Sequence, residues 1–296
     1  MLVFKNLIEV FKLSATPPTI IYPIPILAFL VFSVSNQNVE SLILAVVFSS
    51  IFYAGVNLWN HVNDIEEDIL AGRRNILIEN PRIRKLVAIL VVFLYLTSFM
   101  IVYFKSNDGL PSFLACSIVT WIYSDKMIFG RFIRRWKEHY ITEVLTYVIA
   151  IPTFTLTLWS LFDKISLKAI ALSISITFLM LFGTFLKDIK DATGDELAGL
   201  RTLAVVFSPS KLLKVSVIML WLYYISILIF IILLKIYKWL NILALFPIPL
   251  LIHSTNRCLK NDWRVSLELV KAIRFMIYSG VLSLVLFITS GILEKF

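Results

Sequence analysis

Fifteen consecutive residues gather carboxylates and cations at close spacing: Lys187-Asp188-Ile189-Lys190-Asp191-Ala192-Thr193-Gly194-Asp195-Glu196-Leu197-Ala198-Gly199-Leu200-Arg201. They follow at once on an apolar run, Ala169 to Leu186, that is long enough to cross a bilayer. At helical spacing Asp188, Asp191 and Asp195 share one face. Two carboxylates about 6 Å apart repel by roughly 2–3 kcal/mol at an effective dielectric near 20. Such a face does nothing for helix stability and is suited to holding a cation.

The arrangement occurs twice. The stretch from Asn60 to Arg74 also closes a long apolar run, and sliding it over the first puts Asp64 on Asp191 and Asp68 on Asp195. Ala71-Gly72 then falls on Ala198-Gly199 and Arg74 on Arg201. Both copies read Asp-x-x-x-Asp-x-Leu-Ala-Gly-x-Arg, an internal duplication that predicts two acidic helix ends meeting across one cavity.

Asn60, Asp64 and Asp68 with Asp188, Asp191 and Asp195 supply one amide and five carboxylates. Oxygen-only donors select hard divalent cations, and carboxylates that leave room for water suit Mg²⁺. Each Asp would cost about 2.5–3.5 kcal/mol at the centre of a membrane helix, so the set must line a wet cavity near the interface. Acids, a metal and nearby cations make a site for a phosphate-bearing ligand, and an oily chamber among helices makes one for a lipid tail. A prenyl diphosphate combines the two: the metal offsets charge growing on the leaving group, and apolar walls keep water from an allylic cation. A divalent-cation transporter is the competing reading. Acids in transporters sit near the bilayer midplane, whereas these end their spans on one face.

The elements that must carry these residues are membrane helices. Apolar residues make up 59% of the 296 and charged residues 16%, which excludes an ordinary soluble domain. Nine spans are expected, at 18–34, 41–61, 86–104, 110–126, 139–161, 165–186, 211–234, 238–256 and 270–292. Ahead of them, residues 1–13 set Phe4, Leu7, Ile8, Val10 and Phe11 against Lys5, Glu9 and Lys12, an amphipathic helix for the membrane surface. All of the 28 Lys and Arg residues except Lys105, Lys164, Lys168, Lys235, Lys238 and Lys295 fall in or beside alternate loops. The positive-inside rule therefore puts the N terminus and both acidic stretches on the cytoplasmic side of the cell membrane. The net charge of +9 is thus explained by anionic lipid, and nucleic acid is excluded as a partner. Trp121, Trp136, Trp159, Trp221, Trp239 and Trp263 near span ends read as an interfacial belt, and Cys116 and Cys258 as buried thiols.

With these residues in view the chain resembles the UbiA superfamily of intramembrane prenyltransferases. That family's first motif, Asn-Asp-x-x-Asp-x-x-x-Asp, reads here Asn60-His61-Val62-Asn63-Asp64-Ile65-Glu66-Glu67-Asp68. The second, Asp-x-x-Asp-x-x-x-Asp with a following Gly-x-x-Thr-Leu, is Asp188, Asp191 and Asp195, then Gly199-Leu200-Arg201-Thr202-Leu203. A short Tyr-x-x-Lys matches Tyr123-Ser124-Asp125-Lys126. The resemblance implies one all-α domain over 1–296, about nine transmembrane helices around a central cavity, built as two four-helix repeats plus one helix under a cytoplasmic cap. It implies two Mg²⁺ ions, one on Asn60, Asp64 and Asp68 and one on Asp188, Asp191 and Asp195. Lys126 would bind the diphosphate of an isoprenyl diphosphate, with Tyr123 near the reacting carbon. The repeat adds Arg74 and Arg201 as diphosphate contacts.

The implied reaction is transfer of the prenyl group to a lipophilic acceptor, an aromatic quinone precursor in the first instance and a glyceryl-phosphate ether lipid as the alternative. Two departures bear on it. His61 stands where the first motif commonly has Asp, and Gly183-Thr184-Phe185 replaces an Arg-Glu-Ile frequent in the ether-lipid synthases, which weakens the glyceryl-phosphate case.

Overall fold

The computed structural model describes residues 2–15, 24–35, 39–70, 72–264 and 266–295. In chain order the helices are α1 (Leu2–Ser14), α2 (Ile24–Val34), α3 (Val39–Asn63), α4 (Ile65–Leu70), α5 (Ile76–Glu79), α6 (Pro81–Lys105), α7 (Leu110–Ser124), α8 (Tyr140–Ser160), α9 (Leu167–Leu197), α10 (Leu203–Val206), α11 (Pro209–Leu228), α12 (Ile248–Lys260) and α13 (Leu267–Leu293). No strand occurs among the described residues.

Among the described residues, seven stretches are long and apolar enough to span a membrane: Val39–Asn63, Pro81–Lys105, Tyr140–Ser160, Leu167–Ile189, Pro209–Leu233, Trp239–Lys260 and Leu269–Leu293. Of the other two expected spans, α7 is a short helix and α2 is described over 11 residues. The 11 residues of α2 and the 15 of α7 reach only about 16 and 22 Å at 1.5 Å per residue, against a hydrocarbon core of roughly 30 Å. Residues 18–23 of the first expected span lie outside the described residues, as does Met1 of the amphipathic segment.

Sequence periodicity explains how each span is oriented. Along α6, Val87, Val91, Tyr95, Ser98 and Val102 are buried, while Leu86, Ile89, Phe93, Leu96, Met100 and Phe104 form an exposed stripe on the opposite side. The buried face packs on α3. Neighbours then follow chain order, α7 on α8, α8 on α9 and α9 on α11, until α13 packs back on α2 and closes the ring. Several hydroxyls inside the helices are satisfied locally or across helices: Ser49 and Ser98 donate to carbonyls four residues back, and Ser175 meets Ser226 at 2.8 Å. Cys116 and Cys258 are buried and free.

The tryptophans divide differently from the expected belt. Trp239 is 76% exposed, but Trp121 stacks on Trp59 at 4.2 Å between ring centroids. Trp159 is buried, its indole N–H donating to the Lys164 carbonyl at 3.0 Å. Those two rings are packing groups.

α9 matters most for the site. It runs 31 residues, well past the apolar stretch, and carries the second acidic motif out of the span as continuous helix.

Candidate active site

The two acidic motifs end in the same backbone device. After α4, the Gly72 N–H donates to the Ile69 carbonyl at 3.0 Å and the Arg73 N–H to the Asp68 carbonyl at 2.8 Å. After α9, the Gly199 N–H donates to Glu196 at 3.0 Å and the Leu200 N–H to Asp195 at 3.0 Å. Both are Schellman caps, which need a left-handed residue at the turn; Gly72 has φ +68° and Gly199 φ +70°. The last Asp of each motif thus occupies the same capping position. The correspondence extends one residue beyond the repeated Arg: Asn75 donates to Asp68 Oδ2 at 3.1 Å and Thr202 to Asp195 Oδ2 at 2.8 Å, each seven residues on. Carboxylates in a last helical turn face the negative end of the helix dipole, so both ends call for cations.

α3 delivers the first motif. Buried Asn63 donates to the Trp59 carbonyl at 2.8 Å and accepts the Lys126 backbone N–H at 2.8 Å, tying the end of α3 to the loop after α7. Asn60 accepts a hydrogen bond from Ser124. The loop is shaped by buried Asp125, whose carboxylate accepts the N–H groups of Met127, Ile128 and Phe129 at 2.8–2.9 Å.

Asn60, Asp64, Asp68, Asp188 and Asp195 all line one cavity of about 440 Å³. Asp191 lies on the same helix, its side chain outside the described residues. Phe52, Tyr53, Cys116, Ala150, Ile151 and Phe154 form the apolar part, with Tyr53 edge-on to Phe154 at 4.9 Å. Tyr123 also lines the cavity and meets Tyr147 hydroxyl to hydroxyl at 3.0 Å. Tyr147 donates onward to Glu143, which accepts the Leu203 N–H at 2.9 Å and so fastens α8 to the tail of the second motif. Neither Tyr147 nor Glu143 stands out in the sequence, since each looks like an ordinary polar residue on a span.

The acids are held by cations of the chain. Asp64 pairs with Arg135 at 3.2 Å and with Lys137, and Asp68 with Arg73 at 3.5 Å. Arg135 is buried among Asp64, Glu67 and Glu138. Burial alone would raise the Glu67 carboxyl, but the hydrogen bond and charge of Arg135, helped by Lys126, outweigh it and bring Glu67 down to about 2. His61 comes no nearer than 3.8 Å to Asp68. None of the three expected diphosphate contacts lines this cavity. Lys126 is turned onto Glu66 at 2.6 Å and Glu67 at 3.0 Å, Arg74 is exposed, and Arg201 faces an adjoining cavity; Arg73, Lys137 and Lys187 are the cations that line the acidic one.

The donor set fits a hard divalent ion. The motif groups lining the cavity are all oxygen ligands, and Glu67 Oε2 is buried without a hydrogen-bond partner. Among the described residues no three acidic, His or Cys side chains close on one point. Water and ligand oxygens would have to complete a shell, as is usual for Mg²⁺ held by one or two carboxylates plus a substrate phosphate.

The chain matches the model of the UbiA prenyltransferase family over residues 22–280. It is 37% identical over 276 residues to an uncharacterized protein of Archaeoglobus fulgidus, covering 92% of this chain and 94% of that one. Among solved structures, a digeranylgeranylglyceryl phosphate synthase superposes with a TM-score of 0.73 at 18% identity, over 99% of both chains. A UbiA homolog from Archaeoglobus fulgidus bound to GPP and Mg²⁺ gives 0.66 at 17% identity, over 96% of this chain and 98% of that one. The apo structure of a UbiA homolog from Aeropyrum pernix K1 gives 0.63 at 12% identity, over 92% and 97%.

Proposed function

The chain belongs to the UbiA prenyltransferase family, and from that premise we propose that it transfers a prenyl group from an isoprenyl diphosphate to a lipophilic acceptor and releases pyrophosphate. The observation that carries this reading is the convergence of Asp64 and Asp68 with Asp188 and Asp195 on one cavity whose far wall is aromatic and apolar.

In this reading Asn60, Asp64 and Asp68 hold one Mg²⁺, and Asp188, Asp191 and Asp195 the other. Bound there, the metal would neutralise the charge that develops on the departing diphosphate. Arg73, Lys137 and Lys187 present further positive charge to the same group, and Lys126 joins them on exchanging its carboxylate partners. The allylic C–O bond breaks with its electron pair going to the diphosphate. The acceptor supplies the pair for the new bond and loses a proton. Phe52, Tyr53 and Phe154 exclude water from the cationic carbon, and Tyr123, fixed by Tyr147, borders it.

The acceptor is an electron-rich aromatic precursor of a quinone or, alternatively, a glyceryl-phosphate lipid. The site faces the cytoplasm, on the side where Lys and Arg are concentrated. Purified protein should release pyrophosphate only with prenyl diphosphate, Mg²⁺ and acceptor together. Asp64→Asn or Asp195→Asn should lower the rate by about 100-fold or more, in line with removing one group that stabilises transition-state charge. Folded protein that binds no prenyl diphosphate with any divalent cation would overturn the proposal.

A further inference from the structure

Beside the acidic cavity is a second of about 700 Å³, which shares Glu67 and Leu200 with it as a common wall. Its charges do not cancel. Lys126 is committed to Glu66 and Glu67, and Arg135 to Asp64, Glu67 and Glu138. Two guanidinium groups remain on the cavity, Arg134 and Arg201, both exposed and, among the described residues, without an acidic partner.

Both are launched from fixed backbone. Arg134 precedes the buried, triply paired Arg135. Arg201 is pinned on both sides, its N–H donating to the Glu138 carbonyl at 3.0 Å and its own carbonyl accepting the Tyr140 N–H at 2.8 Å. His139, between those two backbone partners, accepts the Ile141 N–H at Nδ1 and lines the same cavity. Two planar, uncompensated guanidinium forks suit a phosphate or a carboxylate. Leu70, Ile133, Trp136 and Leu200 supply apolar walls to the same space. The ligand it fits therefore joins an anionic head to an apolar body.

We propose that this cavity binds the acidic head group of the acceptor, with Arg134 and Arg201 as its contacts, and presents the remainder of the molecule to the acidic cavity across the Glu67–Leu200 wall. The proposal rests on the prenyl-transfer reading. It names a shared chemistry, an anion on a lipophilic body, that an aromatic carboxylate and a glyceryl-phosphate lipid both satisfy.

The test compares Arg134→Gln and Arg201→Gln with wild type on three acceptors: a hydroxybenzoate, a glyceryl-phosphate lipid, and the uncharged alcohol of that lipid, with geranyl diphosphate and Mg²⁺. For the acidic acceptor that wild type uses, each substitution should raise KM about tenfold or more with kcat changed less than about threefold, the loss expected for one charge-assisted contact. Wild type should use the uncharged alcohol no better than the variants use the acid, and Arg134→Lys should recover part of the loss. The lower wild-type KM among the two acids identifies the head group. Unchanged acceptor KM in both variants overturns the proposal, as does an Arg201→Gln effect confined to geranyl diphosphate. Acceptor KM unchanged while the variants lose bound phosphatidylglycerol would also overturn it, giving the site to a bilayer lipid. In every one of these outcomes wild type still turns over geranyl diphosphate with Mg²⁺, whereas failure of the prenyl-transfer reading would leave wild type itself inactive, so the two failures are separable.

Discussion

At the level of single side chains, the acids around the site are of two kinds. Asp64, Asp68, Asp188 and Asp195 line the cavity as members of the two motifs, whereas Glu67, on the same wall, is tied to Arg135 and Lys126 of the loop after α7. Glu67 titrates near 2 instead of the ordinary 4.5, so its ionised form is favoured by folding. A depressed carboxyl contributes stability that is fully present above about 4.5 and is lost as pH falls toward about 2. Thermal unfolding in detergent should therefore show a decline across that window, and Glu67→Gln should flatten it while lowering stability at neutral pH. The acidic motifs were legible from residue type and spacing alone. Lys137 and Arg135 were not, because they belong to a loop with no repeat partner, and only folding brings them to Asp64. Asn75 and Thr202 hold equivalent carboxylates but differ in type, so no identity in the sequence links them.

At the level of the element, the duplication is a matter of backbone geometry as much as of side chains. Gly72 and Gly199 have open space where a Cβ would be built, so replacing either tests conformation and nothing else. Gly72→Ala and Gly199→Ala should each cost about 1–2 kcal/mol, the price of a left-handed turn for a residue with a Cβ. Because each turn fixes the backbone of the last Asp of its motif, both should also reduce turnover by comparable factors, measured as pyrophosphate release. A loss in only one would mean that the two halves do not share the work. The Leu-Ala-Gly-x-Arg tail made the stop visible in the sequence. The shortness of α7 was hidden, since hydropathy continues across residues that the backbone does not keep in the α-helix: α7 is preceded by a 3-10 turn at Asn107–Gly109 and stopped at Asp125.

At the level of the whole molecule, the exposed surface of the spans is an apolar coat, exemplified by the outer stripe of α6. The ring is closed by α13 on α2, and the chamber is walled by its members α3, α7, α8 and α9. Alternation of basic loops predicts a cytoplasmic site, and this is checkable: a cysteine introduced at Arg134, with Cys116 and Cys258 replaced by Ala, should react with a membrane-impermeant maleimide in inverted vesicles and not in intact cells. The opposite labelling would reverse the topology. Fold class and the meeting of the two motifs followed from composition and pattern, because bilayer solvation dictates helices. Cavity volumes, and the partition of cations between two adjoining chambers, depend on rotamers that no pattern encodes.

The clasp of Asp64 by Arg135 and Lys137, and of Glu66 and Glu67 by Lys126, bears on how a ligand is admitted. A diphosphate arriving with its counterions does not add ion pairs to bare charges; it swaps one set of pairs for another. The free energy of entry is then a difference between two similar electrostatic sums, and most of the sensitivity to added electrolyte drops out. Apparent KM for prenyl diphosphate should change less than about threefold between 50 and 500 mM KCl, much less than simple attraction of a polyanion to an open basic groove would give. Replacing Lys137 with Met should make that dependence steeper, since one partner of the exchange would no longer be there to trade.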